Sequence, residues 1–262
     1  MPSRMLGPVR WIHASWTRDD TCRAATIAVA GLTTLIACGC NHQVYSPPAR
    51  LMPLESAATL GAGETGIQLE GGAHGAIFGP SGESGTLRVR HGIEEGTDVS
   101  MEASAMHIDG NAVAGTYPYL FAGRAGLKHE ALPWLSLTAG LGGGASAGGG
   151  FVSPDVGVIV AYENRYAVPF FSLRASASVP FDTHPVDTGQ AGSDAVGRWV
   201  YTPPLTWIGG GSAGLRIPLG WCDHAPCPVR GSLLGALALT YLGYDGASTG
   251  VVSLAGGGEI VF

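Results

Sequence analysis

The sequence predicts an all-β protein, an antiparallel transmembrane up-and-down β-barrel of about ten strands, with eight to twelve compatible with the segmentation. Three observations lead there. Residues 64–262 break into ten stretches of alternating apolar and polar residues separated by turn residues, and a period of two marks strands with two different faces. No helical period of useful length competes, and after residue 37 no apolar run reaches the ~18 residues of a spanning helix. Charged residues make up only 13% of the 262-residue chain, against about 25% in an ordinary soluble domain. Glycine supplies 42 residues without a three-residue period, which excludes collagen. A formal charge of −6 with Lys128 as the sole lysine argues against nucleic acid as a partner.

Residues 1–37 read as a signal peptide. Arg4, Arg10, Arg18 and Arg23 flank or precede a fourteen-residue apolar run, Ala24–Ala37, the length of a signal-peptide core. The run ends in Leu35-Ile36-Ala37-Cys38. This resembles the lipobox of bacterial lipoproteins, with a small residue at the cut and an aliphatic residue two places before it. The resemblance implies cleavage before an acylated Cys38. Gly39 stands where the inner-membrane retention signal has aspartate, so outer-membrane delivery is implied. The mature chain 38–262 would hold 10 basic and 18 acidic residues, a charge of −8. Residues 38–63, with Pro47-Pro48 and no sustained period, read as a lipid-anchored periplasmic tether. The barrel then occupies 64–262.

In chain order the alternating segments are Thr65–Phe78, Thr86–Ile93, Thr97–Ile108, Tyr117–His129, Trp134–Ala147, Val156–Glu163, Tyr166–Phe181, Trp207–Leu219, Gly231–Leu242 and Val251–Phe262. Regular spacing of this kind suggests a barrel or sandwich. The third segment puts Val99, Met101, Ala103 and Ala105 opposite Asp98, Ser100, Glu102 and Ser104. The fifth sets Leu135, Leu137, Ala139 and Leu141 against Ser136, Thr138, Gly140 and Gly142. The seventh sets Phe171, Leu173, Ala175, Ala177 and Val179 against Ser172, Arg174, Ser176 and Ser178. A barrel so poor in charge fits an apolar face toward lipid and a polar face toward the lumen.

The chain closes on Gly257, Ile260 and Phe262. They resemble the assembly signal of bacterial outer-membrane barrels: a glycine five residues before a terminal aromatic, and a hydrophobe two before the end. Ala255 departs from that signal's polar first position. The resemblance is to small bacterial outer-membrane β-barrel proteins, here with a lipoprotein-type signal peptide. It implies outer-membrane lipids and the barrel-assembly machinery as partners. Ten strands would put the N- and C-termini together in the periplasm. Odd-numbered connections should then be exterior and long, and even-numbered ones short. Gly220–Arg230 is a long exception.

Four groups of residues carry candidate chemistry. By face, Glu70, Arg88, Arg90, Glu102, Arg124, Lys128, Arg174, Arg216 and Glu259 point into the lumen. Unpaired buried charge costs several kcal/mol, so these residues predict a salt-bridged, glycine-lined plug, with a narrow polar conduit as the alternative. Cys222 and Cys227 frame Asp223-His224-Ala225-Pro226; an oxidising compartment favours a disulfide, and zinc on Cys222, His224 and Cys227 lacks a clear fourth ligand. Asp182-Thr183-His184 resembles the Asp-x-His pair of omptin proteases, but the separate acidic pair is missing around Asp109. Trp199, Tyr201, Trp207, Tyr117, Tyr119, Trp134, Tyr162, Tyr166, Trp221 and Tyr241 are candidates for aromatic girdles.

The resulting expectation is a non-enzymatic outer-membrane lipoprotein, an envelope scaffold or a subunit of a surface or trans-envelope assembly with envelope proteins as partners. A narrow passive channel is the second reading, and an omptin-like protease or lipid-modifying enzyme the third. Neither metal nor cofactor is called for. The lipobox yields the first test: mass spectrometry of the mature protein should find an N-terminal, acylated Cys38, and an unmodified terminus elsewhere would refute the lipoprotein reading.

Overall fold

The computed structural model describes residues 45–50, 52, 54–76, 81–109, 119–187, 200–219, 229–244 and 247–262. Ten long strands form one closed sheet. They are β1 (Thr65–Ala76), β2 (Ser81–Glu94), β3 (Thr97–Asp109), β4 (Tyr119–Leu132), β5 (Leu135–Ser146), β6 (Gly149–Ala161), β7 (Val168–Phe181), β10 (Thr206–Leu219), β11 (Arg230–Tyr244) and β12 (Ala247–Val261). A small hairpin, β8 (Val186–Asp187) with β9 (Val200–Tyr201), sits in the connection between β7 and β10.

Each strand pairs antiparallel with its neighbours, and β1 meets β12 from Gly66↔Val261 to Ala76↔Val251. Thr65 and Phe262 exchange two backbone hydrogen bonds of 2.8 and 2.9 Å at the seam. Closure leaves no unpaired sheet edge, which a hydrocarbon environment demands. The end holding Thr65 and Phe262 is called the near end below, and the other the far end.

All ten segments are strands, so the expected fold class is what forms. Several strands begin earlier than the alternation indicated: β2 at Ser81, β6 at Gly149 and β12 at Ala247. Glycine and small residues at those starts carry little pattern, yet their backbones pair in register, as in Ser146↔Gly149 and Gly143↔Val152. The expected long odd connections are consequently not general. β5–β6 and β11–β12 join through two residues each, at the far end.

The outward face is apolar. Leu69, Met101, Leu127, Leu141, Val156, Phe171, Leu237 and Leu254 are all exposed on it. Trp134, Tyr162, Tyr166 and Phe262 ring the near end, while Tyr119, Phe121, Phe181, Trp207 and Tyr241 ring the far end. An apolar band between two aromatic girdles is the exterior of a membrane-spanning barrel. Tyr117, Trp199, Trp221 and the side chain of Tyr201 lie outside the described residues.

The tether expectation is overturned for residues 45–60, which run through the lumen from the far end to the near end. Tyr45 packs on Ile208, Leu242 and Val251 at the far end. Ala49 lies among Leu120, Ala122 and Phe151. Met52, Leu54 and Ala57 pack on Ile159, Val168, Phe170, Leu234 and Ala236. Leu60 donates its backbone N–H to Asp98 Oδ1 at 2.8 Å, at the near end. Residue 45 and Phe262 therefore lie at opposite ends, while the two ends of the barrel wall, Thr65 and Phe262, meet on one side as an even number of strands requires.

The physical reason is space. Inward glycines leave room that only another chain segment fills. A Cβ at Gly142 would come within 2.3 Å of the Ala49 Cβ, and one at Gly92 within 2.1 Å of the Gly61 carbonyl oxygen.

The threading is directly testable. Ser46 Oγ and Ser178 Oγ lie 2.8 Å apart. The double variant Ser46→Cys/Ser178→Cys should form a disulfide on folding, read by peptide mass mapping without reduction. No 46–178 cross-link in membrane-inserted protein would place the segment elsewhere.

Candidate functional site

The lumen is where the chain concentrates its chemistry. The threaded segment has no regular backbone structure over residues 45–50 and 54–60. Its prolines Pro47 and Pro48 contribute carbonyls without N–H groups. Those carbonyls must find donors, because a buried unpaired one costs on the order of 1–3 kcal/mol. The barrel wall supplies them. Ser178 Oγ donates to the Pro47 carbonyl at 2.6 Å, and Arg174 donates to that of Arg50. Gln68 Nε2 reaches the Leu54 carbonyl at 2.6 Å, with Arg88 Nη1 at 3.3 Å. Lys128 Nζ bridges the carbonyls of Ser56 and Ala58 at 2.9 and 2.5 Å. Ser136 Oγ caps that of Ala57 at 2.5 Å.

Around this backbone lies an ion-pair network. Glu102 is its hub, 2.9 Å from Arg124 Nη1, 3.1 Å from Arg88 Nε and 3.1 Å from Arg50 Nε. Arg88, fully buried, also meets Glu70 at 2.6 Å. Arg124 grips Asp155 with two hydrogen bonds of 2.7 and 2.8 Å, the two-pronged geometry its planar guanidinium favours. Arg90 joins Glu259 at 2.8 Å and also pairs with Asp98. Arg50 pairs with Glu55 at 2.8 Å within the threaded segment. Among the described residues, six lumen cations (Arg50, Arg88, Arg90, Arg124, Lys128, Arg174) thus face six carboxylates (Glu55, Glu70, Asp98, Glu102, Asp155, Glu259). Equal numbers of opposite charge make such burial tolerable in a membrane, where a lone charge is expensive.

The opposite wall is apolar. Ile159 and Ala161 of β6, Val168 and Phe170 of β7, and Leu234, Ala236 and Ala238 of β11 face inward and are buried. The lumen charges are thus concentrated on β1–β4, with Asp155 of β6, Arg174 of β7 and Glu259 of β12 joining them, and the buried apolar residues on β6, β7 and β11. The segment matches both, with Arg50 and Glu55 toward one, and Met52 and Leu54 toward the other.

Of the sequence-derived lumen residues, Glu70, Arg88, Arg90, Glu102, Arg124, Lys128, Arg174 and Glu259 come together in the lumen. Arg216 does not join them. It sits at the near mouth, part-exposed, paired with Glu163 at 2.8 Å, because its place near the end of β10 puts it at the rim. Asp155 and the two segment charges, Arg50 and Glu55, were missed. Asp155 fell outside the shortened sixth segment, and the segment charges fell in the supposed tether. Asp98 had been placed on the polar face without being assigned a partner.

Gly257 is inward on β12, where a Cβ would lie 2.5 Å from the Leu69 carbonyl oxygen. Ile260 and Phe262 face outward at the seam. Asp182, at φ 47°, and His184 are exposed at the far rim, where the His184 backbone N–H donates to the Gly148 carbonyl at 2.9 Å. Cys38, Cys222 and Cys227 lie outside the described residues.

At the near mouth an open cavity of about 550 Å³ is lined by Arg90, Glu163, Arg216, Arg230 and Glu259, with Ser56, Ala58 and Thr59 of the segment. Toward the far end, a space of about 30 Å³ lies beside Pro48, Arg50, Met52 and Glu102, room for roughly one water.

The site and the wall define a plugged membrane-spanning β-barrel. No family model and no curated protein matches the sequence. Among solved structures the chain is similar to Neisserial surface protein A (10% identity, TM-score 0.35, covering 75% of this chain and 94% of that one). It is also similar to the outer membrane protease OmpT from Escherichia coli (12%, 0.37, 79% and 99%). A third similar structure is the translocator domain of the autotransporter NalP from Neisseria meningitidis (12%, 0.40, 93% and 97%).

The hub carries a stability prediction. Glu102→Ala leaves Arg50, Arg88 and Arg124 one carboxylate each, Glu55, Glu70 and Asp155, but removes one negative charge from the buried cluster, and should destabilise the inserted barrel by on the order of 3–5 kcal/mol. Glu163→Gln breaks the rim pair with Arg216, whose side chains are 21% and 33% exposed, and should cost no more than about 1 kcal/mol. Denaturant midpoints followed by heat-modifiable gel mobility will rank the two.

Proposed function

We propose that this protein is a non-enzymatic outer-membrane barrel lipoprotein, an envelope scaffold or assembly subunit rather than a solute channel. The observation that carries the reading is the filling of the lumen axis by residues 45–60. Their backbone carbonyls are bound by Arg, Lys, Gln and Ser from the wall. Charges that line an open pore are left free to meet ions and water, whereas these bind one another or, for Lys128 and Arg174, the carbonyls of the segment. Small barrels are in any case filled by side chains, and aqueous channels need more strands.

The outer membrane is supported by the apolar outer band with its two girdles and by Gly257, Ile260 and Phe262 at the closing seam. Lipidation rests on Leu35-Ile36-Ala37-Cys38. A non-enzymatic role suits a molecule whose buried polar groups serve packing. The exposed Asp182-x-His184 pair at the far rim is the residue set on which the protease alternative depends.

Purified protein in planar bilayers should give no stable conductance. Deleting residues 45–60 should open stepwise conductance in whatever fraction still inserts. Stable conductance of the intact protein, with ion selectivity altered by Arg174→Glu, would replace this reading with the channel.

A further inference from the structure

We infer that the chain crosses the membrane eleven times, the first time inside its own barrel, with Tyr45 on the face opposite Phe262. Four observations spaced along the axis support this. At the far end, Tyr45 packs on Ile208, Leu242 and Val251, with its ring centroid 6.3 Å from that of Tyr244. Next, the Ser46 backbone N–H donates to Thr206 Oγ1 at 3.0 Å, and its hydroxyl meets Ser178. At mid-lumen, Arg50 meets Glu102. At the near end, Thr59 Oγ1 donates to Glu130 Oε2 at 3.0 Å, and Gly63 N–H donates to the Gly92 carbonyl at 2.8 Å. The segment therefore enters at the far mouth and leaves at the near mouth, directly before β1.

Epitope accessibility tests the arrangement in the full-length protein. One epitope is inserted between His42 and Gln43. The comparators are the same epitope between Ser193 and Asp194, in the far-end connection of β8 to β9, and between Ala225 and Pro226, in the near-end connection of β10 to β11. On intact cells the 42/43 and 193/194 epitopes should bind antibody together, and the 225/226 epitope only after permeabilisation. A 42/43 epitope that behaves like the 225/226 one overturns the inference. Gln43→Cys, in a background with Cys40, Cys222 and Cys227 replaced by serine, gives a second readout with a membrane-impermeant maleimide. Labelling on intact cells supports the inference, and labelling only after permeabilisation refutes it. Conductance of the intact protein would sink the closed-lumen reading without moving these accessibilities, so the two failures are separable.

Discussion

An irregular stretch of backbone inside a membrane must have every carbonyl satisfied by something other than itself. The rest of this structure depends on that constraint. A helix or sheet would meet it internally, but Pro47 and Pro48 deny the threaded segment either solution. The barrel meets it instead with Ser178 and Arg174 of β7, Gln68 of β1, Lys128 of β4 and Ser136 of β5. Those side chains are donors, and a proline-rich segment is short of donors. The complementarity explains why long basic residues stand on inward positions in so small a cylinder.

The carboxylates then follow from the bases. Arg88, Arg90 and Arg124 cannot be buried alone; Glu70, Glu102 and Asp98 neutralise them from the next strand, and Asp155 and Glu259 from the strand beyond it. Glycine at Gly140 is part of the same arrangement, since a Cβ there would lie 2.3 Å from the Arg124 guanidinium. The ionic half of the lumen holds the segment by directional bonds. The apolar half, with Phe170 and Leu234 against Met52 and Leu54, holds it by exclusion of water.

Much of the fold was legible because a period of two is a local property. Val99 through Ala105 announce an outward face whatever lies across the lumen, and the seam residues Gly257, Ile260 and Phe262 could be placed from the end of the chain. The inward charges were legible for the same reason. Their partners were less so. Arg50 and Glu55 sit in a stretch with no period, and the meaning of Arg50 depends on Glu102 and Arg174, far along the chain. The inward Ile159, Phe170 and Leu234 ran against the polar-lumen rule, and only an apolar occupant makes sense of them. The glycines facing Ala49 and residue 61 were visible as an excess, but an excess of glycine does not say what fills the gap.

The turn at Gly61–Glu64 ties the threaded segment to the first strand, and β1 is one side of the seam that β12 closes. Only four residues separate Leu60, held at the near end by Asp98, from Thr65, which exchanges hydrogen bonds with Phe262. The occupant of the lumen and the strand that closes the wall are therefore tethered to each other, and the seam cannot part at Thr65 without pulling on the segment that fills the axis.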